Sequence, residues 1–184
     1  MLVKEVVSMK EKILFTLAVT FLIFGCAGSQ PHGADTERDK GQAPTIVDSY
    51  APSVIRPGQT WRIYLRARDD DGDMKDILTV FSKEGRTPFR TTVTRIEDTD
   101  RKELAGHLFL RIPHNSDLFK RSFTFTVMVR DSQGNKSEPV DFPLRFAYGQ
   151  DPDVPEIWQE AANRKLGAIL VDLDGLMRSK HQKE

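Results

Sequence analysis

Five carboxylates crowd one glycine in a short stretch of this chain: Asp69, Asp70, Asp71, Asp73 and Asp76 surround Gly72. Hard oxygen ligands of this kind suit calcium, and Asp69, Asp71 and Asp73 are the candidate ligands. The loop pattern D-x-D-x-D-G is not met, because with Gly72 in sixth place the first ligand position falls on Ala67. Asp also bonds to nearby backbone and Gly accepts positive φ, so the same residues equally suit a solvated turn between strands. A second constellation is Arg62, Tyr64, Arg66 and Arg68, which recur at every second position, beside a second alternating run carrying His107, Phe109 and Arg111. Were those runs paired, Arg62, Tyr64, Arg66, His107, Phe109 and Arg111 would make a basic and aromatic face able to hold a glycan or an anionic lipid surface. The other reading is a solvated arginine row that discourages edge pairing. His107 and His114 lack a matching acid and nucleophile pattern, so no catalytic triad is drawn and no enzyme is expected.

The elements that must position these residues are strands. Trp61, Ile63, Leu65 and Ala67 alternate with polar neighbours, as do Phe123, Phe125, Val127 and Val129, and Val140, Phe142, Leu144 and Phe146. Period two buries one face and solvates the other. Weaker runs at 45–50, 75–82, 89–96 and 104–112 bring the total to about seven strands. Turn chemistry separates them, at Pro57-Gly58, around Gly72, at Glu84-Gly85, at 98–100, at 113–117 and around Gly134. Seven short strands over residues 45–147 predict an all-β, two-sheet sandwich.

Residues 55–60 (IRPGQT), 67–72 (ARDDDG) and 129–135 (VRDSQGN), each at the mouth of a strand, resemble the immunoglobulin-like and fibronectin type III-like modules of bacterial extracytoplasmic proteins. The resemblance spans roughly residues 44–147 and implies a noncatalytic spacer, adhesin or recognition unit. There is no inter-sheet cysteine pair and no tyrosine corner in the sixth strand.

Upstream lies an address. Residues 13–24 are an unbroken apolar run of 12, preceded by Lys10 and Lys12. That is shorter than the ~20 residues a bilayer-spanning helix requires, and it has the charged, apolar and small-residue parts of a secretory signal. Ile23-Phe24-Gly25-Cys26 resembles the lipobox of bacterial lipoproteins. That resemblance implies cleavage after residue 25 and acylation of Cys26, the sole cysteine, with Ala27 in place of an inner-membrane retention Asp. The outer membrane is the expected destination. Met9 opens a compact signal by itself, so Met1–Ser8 is expected to be an over-extended start. Residues 26–44 then read as a polar tether without periodic apolar pattern.

After residue 147 the pattern changes again. Asp153, Pro155 and Glu156 carry helix-start chemistry, and Ala162, Leu166, Ile169, Leu170, Leu173 and Met177 recur at helical spacing. An amphipathic C-terminal helix within residues 148–184 is predicted, docked on its own sandwich or in a groove of another protein. Residues 168–176 (AILVDLDGL) resemble the first motif of haloacid dehalogenase-type phosphotransferases, but only eight residues follow Leu176, too few for the later motifs.

Composition sets outer bounds. The chain has 184 residues with 27 Lys+Arg against 27 Asp+Glu, so no global charge favours nucleic acid as a partner. One cysteine allows no intramolecular disulfide and no Cys-rich metal site. The expectation is a noncatalytic envelope lipoprotein, held by acylated Cys26 and recognising or assembling with an envelope protein. The alternative is a calcium-assisted glycan-binding or adhesion module.

Overall fold

The computed structural model describes residues 41–83, 90–149 and 153–173. The signal at 1–25, Cys26, most of the 26–44 tether, the Glu84-Gly85 turn and Met177 lie outside the described residues.

Nine strands occur among the described residues: β1 (Thr45–Tyr50), β2 (Val54–Ile55), β3 (Thr60–Arg68), β4 (Met74–Lys83), β5 (Arg90–Arg95), β6 (Glu103–Arg111), β7 (Ser122–Asp131), β8 (Val140–Phe146) and β9 (Lys165–Ala168). They form two sheets, β1-β3-β6-β9 and β2-β8-β7-β4-β5. The seven expected strands are all present; β2 and β9 are additional. Each adds a parallel pair, β2 with β8 and β9 with β6, whereas all other strand pairs are antiparallel.

Placing β1, β3 and β6 in one sheet and β8, β7, β4 and β5 in the other gives the strand order of an immunoglobulin-like sandwich. In that order a further strand normally precedes β6 in the chain and flanks it in the sheet. Here only residues 96–102 separate β5 from β6, and they hold a 3-10 turn at Asp98–Asp100. The vacant edge of β6 is taken by β9 from the C-terminal segment.

Period two explains the core. Along β7 burial alternates without exception, sending Phe123, Phe125, Val127 and Val129 inward. Trp61, Ile63 and Leu65 of β3 meet them, and all three are fully buried. Aromatic rings bridge the layers, with Trp61 and Phe125 centroids 4.9 Å apart, and Phe125 packs at 5.1 Å on its cross-strand neighbour Phe81 within its own sheet. The one polar atom of Trp61 is satisfied, its Nε1 donating to the Pro52 carbonyl at 2.7 Å. Burying each such side chain stabilises the fold by about 1.5 to 3 kcal/mol.

The C-terminal segment departs from the predicted helix. A 3-10 turn at Glu156–Trp158 runs into one short helix, α1 (Gln159–Ala162), and then into β9. The anticipated capping box is not made: Pro155 stands at the cap position without a side-chain cap bond. Ile169, Val171 and Leu173 satisfy period two, and Ile169 and Leu173 fit helical spacing as well; both are buried in the sandwich core while Leu170 is 67% exposed. Between two compatible periods, the open edge of β6 decides, because an edge supplies backbone partners that an isolated helix of this length cannot match. Beyond β9 the chain crosses to the other sheet, where the Leu170 amide donates to Thr92 Oγ1 of β5 at 3.2 Å.

Candidate functional site

The register of β3 against β6 sets Arg62 opposite Phe109, Tyr64 opposite His107, and Arg66 opposite Ala105. The six residues singled out for a basic and aromatic face therefore share one sheet surface, with Arg111 opposite Thr60 at its end. They do not form one open face. Residues 153–164 lie across it as a strap, and Tyr64, Trp158 and Ala161 form a separate buried cluster flanked by Tyr50, Val154 and Ala162. Tyr64 is 2% exposed and His107 1% exposed. Such burial of outward-facing strand residues is invisible to alternation, since it is imposed by a segment distant in the chain.

Polar contacts hold the strap down. Arg66 donates to the Ile157 carbonyl at 2.5 Å, and its guanidinium carbon stands 4.9 Å from the Trp158 ring centre, a cation–π geometry. His107 Nδ1 lies 3.0 Å from the Ala161 carbonyl. A carbonyl only accepts, so Nδ1 carries the proton and the neutral ring leaves Nε2 as a bare acceptor. That Nε2 is buried and without a hydrogen-bond partner. Burial holds the His107 pKa below the usual imidazole value, Arg62 and Lys165 push the same way, and the bond to Ala161 opposes them. The buried Asp100 pairs with Arg164, tying the β5–β6 turn to the end of the strap.

Two glycines make room for this segment. A Cβ on Gly106 would lie 2.7 Å from Leu166 Cδ2 and 2.9 Å from the Arg164 carbonyl oxygen, and one on Gly167 would lie 2.5 Å from Thr94 Cγ2. A glycine inside a strand marks close approach of another backbone, and Gly106 was the one sequence signal that could have announced the strap.

Beside the strap an open cleft of about 240 Å³ remains, lined by Tyr50, Pro52, Ile55, Gln59, Thr60, Arg62, Tyr64 and Val154. Arg62 is exposed here, and its charge opposes the burial that raises the Tyr64 pKa. Toward the β9 edge of the same sheet, Phe109 and Arg111 border a second groove against residues 168–172. The binding residues thus divide into two sealed under the strap (Tyr64 in part, His107), one clamped to it (Arg66), one in the cleft (Arg62), and two in a different groove (Phe109, Arg111).

The aspartate turn is built as a turn. Asp69 is 2% exposed and accepts from the amides of Asp71 and Asp73 at 3.3 and 3.2 Å, while Gly72 adopts a φ of 73°. Asp71 instead accepts from the Gln42 amide at 2.6 Å. Asp73 accepts from the Ser132 hydroxyl. Burial raises the Asp69 pKa, and the Ser132 bond lowers that of Asp73. Asp69 and Asp73 are brought together, then, but Asp71 is engaged elsewhere; among the described residues no group of three or more His, Cys, Asp or Glu is arranged to hold a metal ion.

The facing β7–β8 turn uses the same chemistry. Asp131, 1% exposed, accepts from the Gln133 amide at 2.9 Å, the Asn135 amide at 2.8 Å and Asn135 Nδ2 at 2.7 Å. Asp131→Ala is expected to cost about 2 kcal/mol, because buried amides lose a charged acceptor; urea denaturation reads it, and an unchanged midpoint would contradict it.

No protein-family model and no curated protein sequence matches the chain. Among solved structures, the SrpA adhesin of Streptococcus sanguinis, in a mutant form, is similar at 19% identity and a TM-score of 0.34, over 58% of this chain and 56% of the adhesin chain. The chain thus spans little more than half of that adhesin chain. A CARDB domain from Pyrococcus furiosus, crystallised in complex with di-metal ions, is similar at 10% identity and a TM-score of 0.33, over 56% of this chain and 87% of that domain. The assignment as an immunoglobulin-like sandwich rests on strand order and layering.

Proposed function

We propose that the chain is a lipid-anchored envelope lipoprotein of the outer membrane, its sandwich a noncatalytic module that recognises or assembles with another envelope protein. The observation that carries this reading is the position of the sole cysteine, Cys26, directly after Ile23-Phe24-Gly25 at the end of a 12-residue apolar run. Two or three acyl chains there would hold the protein stably, since one chain of myristoyl length gives only reversible binding. From Cys26 to Gln42 the chain can reach no farther than about 55 Å, at roughly 3.4 Å per residue, so the sandwich would work close to the bilayer.

The geometry supports recognition over catalysis. The imidazole of His107 is sealed from solvent and spent on a backbone carbonyl, so it faces no substrate and no nucleophile. Calcium-assisted adhesion draws less support, because Asp69 and Asp71 spend acceptor oxygens on backbone amides.

Intact mass of the mature protein and detergent-phase partition test the anchor. Acyl mass on Cys26 is the expected result, with Cys26→Ala lacking it and staying membrane-bound and unprocessed because its apolar signal at 13–24 is not removed; a cleaved, soluble Cys26→Ala form counts against the lipobox. A mature protein with a free thiol at Cys26 overturns it. Crosslinking of the wild-type lipoprotein in its own membrane tests the recognition half, which fails if no specific protein is captured.

A further inference from the structure

The cleft beside the strap has a chemical bias that narrows what it can hold. Its donors are the Arg62 guanidinium, the hydroxyls of Tyr50, Tyr64 and Thr60, and the Gln59 amide; none of its lining residues is acidic. Gln59 Oε1 already accepts from the Arg56 amide at 3.2 Å, which turns the NH₂ of that side chain to other use. Arg62 makes no ion pair among the described residues. This contrasts with Arg66, four residues on, whose head is spent on the Ile157 carbonyl. Opposite the donors stand apolar groups, Pro52, Ile55 and Val154, and the Tyr50 ring lies near-parallel to Tyr64 at 6.0 Å.

We propose that this cleft is a binding site for a carboxylate carried on a short apolar stem, with Arg62 as the anion anchor and Ile55, Pro52 and Val154 as the apolar wall. A guanidinium supports charge-assisted, bidentate bonds to a carboxylate, and a cleft of mixed apolar wall and few convergent donors is the usual form of a small-ligand site. The volume of about 240 Å³ equals roughly eight waters at about 30 Å³ each, which limits the occupant to one residue-sized group. Four separate elements build the site: the end of β1, β2 through Ile55, the start of β3, and the strap through Val154. The site therefore exists only while the strap is docked. This assignment deepens the recognition reading and rests on it, but does not depend on the lipid anchor. The acid has two sources, a free small molecule or the carboxyl terminus of a polypeptide.

The full chain, purified in detergent, is titrated calorimetrically with N-acetyl-leucine, with N-acetyl-leucinamide, and with a glycine-serine hexapeptide ending in a free leucine. Saturable binding of the acid is expected, at least tenfold weaker for the amide and for the Arg62→Gln protein, and unchanged in Arg145→Gln on the opposite sheet. Because Arg62 is exposed, its replacement leaves the core intact; Val154→Glu, which sets a like charge in the wall, supplies an independent loss. Hexapeptide binding as tight as that of the acid assigns a polypeptide terminus, and binding of the acid alone assigns a small molecule. Equal binding of acid and amide, no binding of either, or an undiminished Arg62→Gln protein overturns the site. Partner capture in the membrane that survives Arg62→Gln, alongside such a failure, would sink the cleft and leave the recognition reading standing.

Discussion

Gly106→Val is expected to unseat the C-terminal segment and lower the stability of the sandwich by about 3 to 5 kcal/mol. A Cβ at this position already approaches Leu166 Cδ2 to 2.7 Å and the Arg164 carbonyl to 2.9 Å. The first neighbour is the end of a flexible side chain and can turn away; the second is backbone and cannot. Valine adds two methyl groups at the same place, so β9 must leave the edge of β6. Its departure exposes Trp158, Ile169 and Leu173, which are 2%, 4% and 2% exposed in the intact fold. Each contributes roughly 1.5 to 3 kcal/mol of burial, and the regained freedom of the released chain offsets part of that sum. Gly106→Ala should cost less, about 1 to 3 kcal/mol, the ordinary range for overpacking. Urea denaturation reads the loss, and hydrogen exchange at the amides of β9 locates it. Adding Leu166→Ala should restore part of the stability of Gly106→Ala, a coupling expected of touching residues. A Gly106→Val protein as stable as the wild type, with β9 still protected, would show that the strap contributes little.

Mild acid should loosen the same segment through His107. The folded-state pKa of this imidazole is depressed by burial and by the charges of Arg62 and Lys165. Below the unfolded value of about 6.5 the unfolded chain takes up a proton that the folded chain refuses. Proton uptake by the unfolded state means that stability rises with pH and falls as pH drops below about 6.5. The slope of one such group is at most about 1.4 kcal/mol per pH unit. From β3, Arg62 and Tyr64 face the ring, from β9 Lys165, and from the strap the Ala161 carbonyl. None of these is an acid able to hold an imidazolium, so protonation would set a buried N–H at Nε2 without an acceptor. Stability measured between pH 7.5 and 5, above the main carboxylate range, isolates the effect. His107→Gln should be less stable at pH 7.5 yet flatter across that interval; an equal slope in both proteins would remove His107 as the cause.

Alternation along 61–67, 123–129 and 140–146 is a local property, and it foretells β3, β7 and β8 because a half-buried strand needs apolar groups on one side only. The Asp and Gly turns were equally legible, since Asp69 and Asp131 bond amides two to four residues away. Short β2 has two residues and no periodicity to read. The failures share a cause of another kind. Residues 162–173 fit a helix and a strand alike, and Tyr64 and His107 sit on what alternation marks as the wet side of their strands.

The linear chain by itself determined where seven of the nine described strands and the turns between them form, that the core is apolar on both inner sheet surfaces, and that Cys26 stands where a lipid-bearing cysteine would. Local spacing suffices for these, because each depends on neighbours a few residues apart. Only the folded molecule decided that the edge of β6 is open and β9 fills it, that the strap seals His107 under Ala161, and that Arg62 alone of the arginine row lines the cleft beside the strap. Those outcomes depend on which distant segments meet, and a free sheet edge competes for any segment whose pattern permits two conformations.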